Sequence, residues 1–188
     1  MTTLRRIAAI GLILALGACT TYSMVEATKG YEVGDAFKVD TPIAWNKARV
    51  HSPNIELWTL DGLLQTLVFV TGVSNGDTLF SGPDEKKPKF DEKSTIIEAK
   101  AFIIDSLLTS GVLEYREISF APAKLAGQDG FRVEFKFTKE DGMERRAFVV
   151  GALKDKKLYA IMYSGAEIYF YDRAKQEAES VISSAHFL

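Results

Sequence analysis

Residues 130–138 read Gly130-Phe131-Arg132-Val133-Glu134-Phe135-Lys136-Phe137-Thr138, so that after the opening glycine four apolar side chains alternate with four polar or charged ones. A period of two places Phe131, Val133, Phe135 and Phe137 on one face of a strand and Arg132, Glu134, Lys136 and Thr138 on the other. A strand with one buried and one wet face belongs to an antiparallel sheet. Strands of a parallel sheet are covered on both faces and read as unbroken apolar runs.

The surrounding chain extends the pattern. Residues 112–120, 143–153 and 158–164 are also strand-like, with turns expected at Gln128-Asp129-Gly130, Asp141-Gly142 and Asp155-Lys156-Lys157. Connections this short make consecutive strands neighbours, which predicts an antiparallel meander. Upstream, residues 55–60 (IELWTL) and 63–73 (LLQTLVFVTGV) flank Asp61-Gly62, a strong short hairpin signal. Residues 37–40 alternate weakly into Thr41-Pro42, as a short edge strand would, and Trp45 reads as a core plug.

Two helices complete the reading. Thr95 and Glu98 form a capping box, and Ile96, Ile97, Ile103, Ile104, Leu107 and Leu108 recur at helical spacing until Gly111. From Glu167 or Asp172 onward, Ala174, Ala178, Val181, Ile182 and Ala185 share one face of a closing helix. The stretch between the hairpin and the first helix, residues 74–93, is dense in Gly, Pro, Asp and Lys and is expected to be a long exposed loop. Hairpin, helix, meander, helix is the order of an α+β fold: an antiparallel sheet with packed helices.

The first 18 residues follow another logic. Arg5 and Arg6 precede residues 7–16, which contain only Ile, Ala, Gly and Leu; this is the layout of an export signal. The apolar run falls well short of the roughly 20 residues a spanning helix needs. It ends in Leu16-Gly17-Ala18-Cys19, which resembles the lipobox of bacterial lipoproteins. That resemblance implies cleavage before Cys19, a thioether-linked diacylglycerol on its sulfur and an acylated new amino terminus. The implied location is the periplasmic face of a membrane, and Thr20, standing where an Asp would favour inner-membrane retention, leans toward the outer one. Cys19 is the only cysteine, so a lipidated chain has neither a free thiol nor a disulfide. Residues 19–36 are expected to be a lipidated start and tether, and residues 37–188 a single domain.

Composition narrows the function. The net charge of −2 falls to −4 once Arg5 and Arg6 leave with the signal, and charges of both signs are mixed along the chain, which gives no electrostatic basis for nucleic-acid binding. His51 and His186 are the only imidazoles, and neither has a Cys or second His at ligand spacing. Residues 72–77 (GVSNGD) lack phosphate-loop spacing and read as a turn. Asp84-Glu85 and Asp91-Glu92 lie among lysines with no calcium-loop order. No cofactor, metal or catalytic set is therefore expected; a motif-less ligand or enzyme site around His51 is the alternative. Tyr163, Tyr169, Phe170 and Tyr171 are a local aromatic excess, which would seal the core, dock a protein partner or line a small-ligand cleft.

Taken along the chain, residues 37–45 (FKVDTPIAW), residues 127–135 (GQDGFRVEF), Leu158-Tyr159-Ala160-Ile161 and the closing helix running to Ser184-Ala185-His186-Phe187 resemble the PsbP-like superfamily. That group includes a photosystem II extrinsic protein, a Ran-binding nuclear import factor and small bacterial lipoproteins. The resemblance implies an α/β/α sandwich and a non-enzymatic accessory or binding role. The Asp61-Gly62 hairpin and the charged loop after it depart from the usual pattern. Together with the lipobox, it leads to the expectation of a lipid-anchored envelope protein whose partner is another envelope protein.

Overall fold

The computed structural model describes residues 22–81 and 87–188. In chain order the elements are β1 (Tyr22–Val25), β2 (Thr28–Val33), β3 (Phe37–Thr41), β4 (Trp45–Ala48), β5 (Ile55–Thr59), a 3-10 turn (Gly62–Leu64) and β6 (Gln65–Val73). They continue with α1 (Ile96–Thr109), β7 (Leu113–Leu125), β8 (Gln128–Thr138), β9 (Arg145–Lys154), β10 (Lys157–Ala166), α2 (Phe170–Ser184) and β11 (His186–Phe187). Eight strands form one antiparallel sheet in the order β1-β4-β5-β6-β10-β9-β8-β7, and β11-β3-β2 form a second. Helix α1 packs on one face of the large sheet, while α2 and the small sheet cover the other. This is the α+β architecture expected, with an eight-stranded antiparallel sheet between packed helices.

The alternation in β8 sets the two cores. Phe131, Val133, Phe135 and Phe137 are all buried beneath α1 with Ala99, Phe102, Ile103 and Leu107. The opposite face of the sheet carries Trp58, Leu67, Phe69, Phe148, Ile161 and Tyr163 against Ala174, Ala178 and Val181 of α2. Helix α1 starts where its capping box requires: the Thr95 hydroxyl accepts from Glu98 N at 3.3 Å, and Glu98 accepts from Thr95 N at 2.7 Å.

Four expectations are corrected. Residues 22–33, read as part of a tether, are strands β1 and β2, with Val25, Val33 and Ala36 buried in the α2-side core. They look polar because edge strands keep one face wet. Within residues 74–93, Leu79 and Phe90 are buried, and Phe90 meets Phe102 with ring centroids 5.5 Å apart, so two apolar residues staple this charged segment to the core. The β7–β8 turn is Ala126-Gly127 at φ +49° and +82°, not Gln128-Asp129-Gly130, which lies within β8. The chain also leaves the helix after Ser184, so His186 sits in β11 opposite Lys38 and is not a helix-terminal residue.

At Gly165, α2 crosses β10 so closely that an added Cβ would stand 2.6 Å from Tyr171 Cα and 2.8 Å from Tyr171 N. Backbone cannot yield as a side-chain tip can. Gly165→Ala is therefore expected to lower unfolding free energy by about 1–3 kcal/mol in urea titration. An unshifted midpoint would mean that α2 does not approach β10 this closely.

Candidate functional site

The aromatic excess at residues 163–171 falls where β10 hands the chain to α2, and the structure divides it. Tyr163 and Tyr171 are fully buried, so the expectation that all four rings could meet a partner is corrected for these two. Burial pushes both phenols well above their usual range, with Glu134 adding to the effect at Tyr171, so both stay protonated. The Tyr163 hydroxyl is 2.8 Å from Tyr171 O and 3.2 Å from Phe170 O, and the Tyr171 hydroxyl donates to Glu134 Oε1 at 3.1 Å. Glu134 also accepts from Arg146 Nε at 2.7 Å. Phe170 is half-buried, and its carbonyl accepts from Gln65 Nε2 at 2.7 Å.

Between them the chain turns outward. Tyr169 has φ +74° and ψ −49°, and Phe170 N donates to Ile168 O at 2.9 Å, which closes a three-residue γ-turn of the strained, positive-φ kind. Tyr169 also occupies the N-cap position of α2 without any side-chain hydrogen bond to the helix, where Ser, Thr, Asp, Asn or Gly would serve the fold better. The result is that Ile168 is 86% exposed and Tyr169 65% exposed. Leu63, 64% exposed on the 3-10 turn that packs beside β10, adds a third apolar side chain.

Strain of this kind persists only when the surroundings over-determine it. Here Gln65 and Tyr163 hold the Phe170 carbonyl, Arg173 reaches Asp61 Oδ2 at 2.7 Å, and Lys136 reaches Glu167 at 2.9 Å. Glu167 raises the Lys136 pKa mainly through that hydrogen bond, which keeps the ammonium charged beside the corner. Lys136 and Glu144 also begin an open groove of about 620 Å³ whose other walls include Tyr115 and Arg116. An exposed apolar ridge beside a charged groove is suited to holding a protein surface; its groups offer no nucleophile paired with a base.

Ile168 and Leu63 were not singled out from sequence. One signal was available: the apolar stripe of α2 steps through residues 171, 174, 178, 181 and 182, and residues 168 and 169 lie ahead of it. Apolar residues adjoining a helix but off its stripe are free to face water.

Among the described residues, no side chain is hydrogen-bonded to the His51 ring. His51 is exposed on the loop after β4, and the Ser81 hydroxyl donates to the His51 backbone carbonyl at 2.5 Å, not to its ring. Among the described residues no three His, Cys, Asp or Glu side chains are grouped so as to hold a metal ion. Asp91 accepts from Lys93 N and Glu92 pairs with Lys156 at 3.3 Å; Asp84 and Glu85 lie outside the described residues, as do Cys19 and the signal. No described helix is long and apolar enough to cross a membrane.

No protein-family model matches this chain, and no curated protein does. Solved structures do. The solution structure of cyanobacterial PsbP (CyanoP) from Synechocystis sp. PCC 6803 superposes with a TM-score of 0.55 at 17% identity, over 98% of this chain and 99% of that one. The Saccharomyces cerevisiae Ran-binding protein Mog1p superposes with a TM-score of 0.51 at 11% identity, over 88% of this chain and 94% of that one. The fold is PsbP-like. At these identities the likeness is one of backbone path, and the β10–α2 corner must be argued on its own residues.

Proposed function

We propose that this chain is a lipid-anchored, non-catalytic accessory protein of the bacterial cell envelope, which binds a second envelope protein through the Ile168–Tyr169 corner. The observation that carries the reading is the strained turn itself: a bulky aromatic residue is held at positive φ, uncapped and in water, where the fold alone would favour glycine. The fold supports it, since the yeast protein that shares it is a Ran-binding protein. Cys19, in a lipobox-like sequence, would supply the anchor on the periplasmic face of a membrane, the outer membrane being favoured by Thr20.

A photo-crosslinking residue placed at position 169 in cells is expected to trap one discrete envelope protein, and the same residue at exposed Asp129 is not. Tyr169→Gly separates function from structure. Relief of about 1–3 kcal/mol of strain, less the roughly 0.5–1 kcal/mol entropic cost of glycine, should leave the fold more stable by about 1 kcal/mol. Loss of the ring should weaken the complex by about 2 kcal/mol, roughly 30-fold in Kd, if Tyr169 anchors it. A smear of adducts, or a partner bound equally well by Tyr169→Gly, would refute the corner as the docking site.

A further inference from the structure

We infer that the strip of the large sheet next to its β1 edge, on the α1 side, is the surface this domain lays against the bilayer. The inference rests on the reading of Cys19 as the lipidated residue. Its geometry is independent of that reading and comes from the register of four strand pairs.

Tyr22 pairs with Ala48, Ala48 with Leu57, Leu57 with Val68 and Val68 with Met162, so these five side chains form one row across β1, β4, β5, β6 and β10. Directly paired residues share a face, and Val68 and Met162 line the apolar gap beneath Leu79 and Ile103, which places the row on the α1 side. Met24 lies two residues along β1 and faces the same way. Helix α1 packs on β8 and β9, away from this edge. Its β1 end is consequently left open, with Tyr22 42% and Met24 65% exposed and Leu57 half-buried, while Val68 and Met162 lie under Leu79 and Ile103. Val25, on the other face of the same short strand, is 1% exposed beside buried Trp45.

The occupant follows from the length of chain ahead of β1. Only Thr20 and Thr21 separate Cys19 from Tyr22, and an extended chain reaches at most about 3.5 Å per residue, so Tyr22 stays within about 11 Å of the lipidated residue. The headgroup layer on one side of a bilayer is itself about 5–8 Å thick. An acylated Cys19 thus brings Tyr22 to the headgroups, the depth at which tyrosine is enriched, and brings Met24 and the open strip with it. The Ile168–Tyr169 corner follows β10, four strands across the sheet from β1 and so about 19 Å to its side at about 4.8 Å per strand, which leaves it available to a partner in this orientation.

The test uses the full-length acylated protein in phosphatidylethanolamine–phosphatidylglycerol vesicles bearing a headgroup-level nitroxide quencher. Cys19 is the sole cysteine and is blocked by lipid, so a fluorophore can be attached at Met24→Cys, Ile168→Cys or Asp129→Cys, all exposed positions. Quenching at position 24 is expected to exceed that at 168 and 129 several-fold. Equal quenching at all three positions, with the acyl mass present and the protein floating with vesicles, overturns this inference and leaves the anchor standing. Absence of the acyl mass removes the anchor and this orientation together. A label at 24 shielded by an added envelope extract but not by vesicles assigns the strip to a protein and also overturns it.

Discussion

Trp58→Ala is expected to remove about 3–5 kcal/mol of stability, the most damaging single truncation in this domain, and to move the urea midpoint down by about 2 M. Trp58 is completely buried at the centre of the α2-side core. Its ring contacts Phe69 at 4.6 Å, Tyr31 at 5.3 Å and Trp45 at 6.4 Å between centroids, so it joins the large sheet to the small one. Deleting it opens a cavity bounded by rigid rings and strands that collapse poorly, which puts the cost at the upper end of large-to-small substitutions. The indole also donates to Glu56 Oε1 at 2.7 Å, and Glu56 is 8% exposed; after truncation only Lys47, at 2.7 Å, still faces that carboxylate. A domain of this size is commonly stable by about 5–15 kcal/mol, so the variant should lose a large share of its stability. Trp58→Phe keeps most of the ring contacts and should cost less than half as much. Leu63→Ala, at an exposed position, should change stability by about 0.5 kcal/mol or less. Equal losses for Trp58→Ala and Leu63→Ala would show that the core is not organised around Trp58.

The same residue shows what could be read from sequence and what could not. The central strands were legible because each residue obeys one constraint: Phe131, Val133, Phe135 and Phe137 need cover, their neighbours need water, and the alternation fixes both the strand and its face. The helix start at Thr95 was legible because a capping box is a local device that needs no distant partner. What Trp58 binds was not. Tyr31 comes from β2, in a stretch whose polar composition resembles a tether, and only pairing with β3 reveals that Val33 is buried on its inner face. Phe90 and Leu79 were hidden in the same way, since two buried side chains barely alter the composition of a charged segment of 20 residues.

The candidate site was partly visible as an excess of aromatic residues. Sequence could not divide that excess, because Tyr163 and Tyr171 differ from Tyr169 in backbone angle, not in chemistry. Tyr171 lies on the helix stripe and inserts against Tyr163, with ring centroids 5.5 Å apart. Tyr169 stands two residues earlier, and the γ-turn rotates it away from that stack. The turn exists because Gln65 and Asp61, about a hundred residues earlier, hold the Phe170 carbonyl and the Arg173 guanidinium, while Tyr163 adds the one local contact, and no short window along the chain contains them all.

Release from the membrane is the largest functional effect expected. With residues 1–18 replaced by an ordinary cleavable export signal and Cys19 changed to Ala, the protein should move from the membrane pellet to the soluble periplasmic fraction. Replacing the signal as well as the cysteine matters, because an uncut Cys19→Ala precursor could stay at the membrane through its apolar run and imitate an anchor. That run, residues 7–16, would be about 15 Å long as a helix against a hydrocarbon core of about 30 Å, so it can hold a precursor in transit but cannot span. Each methylene of a bound acyl chain contributes about 0.8 kcal/mol, and one myristoyl chain alone gives an association constant of only about 10⁴ M⁻¹. Two or three chains on Cys19 would therefore exceed by orders of magnitude anything Tyr22 and Met24 contribute as a surface contact. The native protein should carry the corresponding acyl mass and resist a high-salt wash, and the variant should carry none and wash free. A salt-resistant variant would mean that protein contacts hold the domain in place, and a native form without acyl mass would mean that Cys19 is an ordinary residue after an ordinary cleavage site.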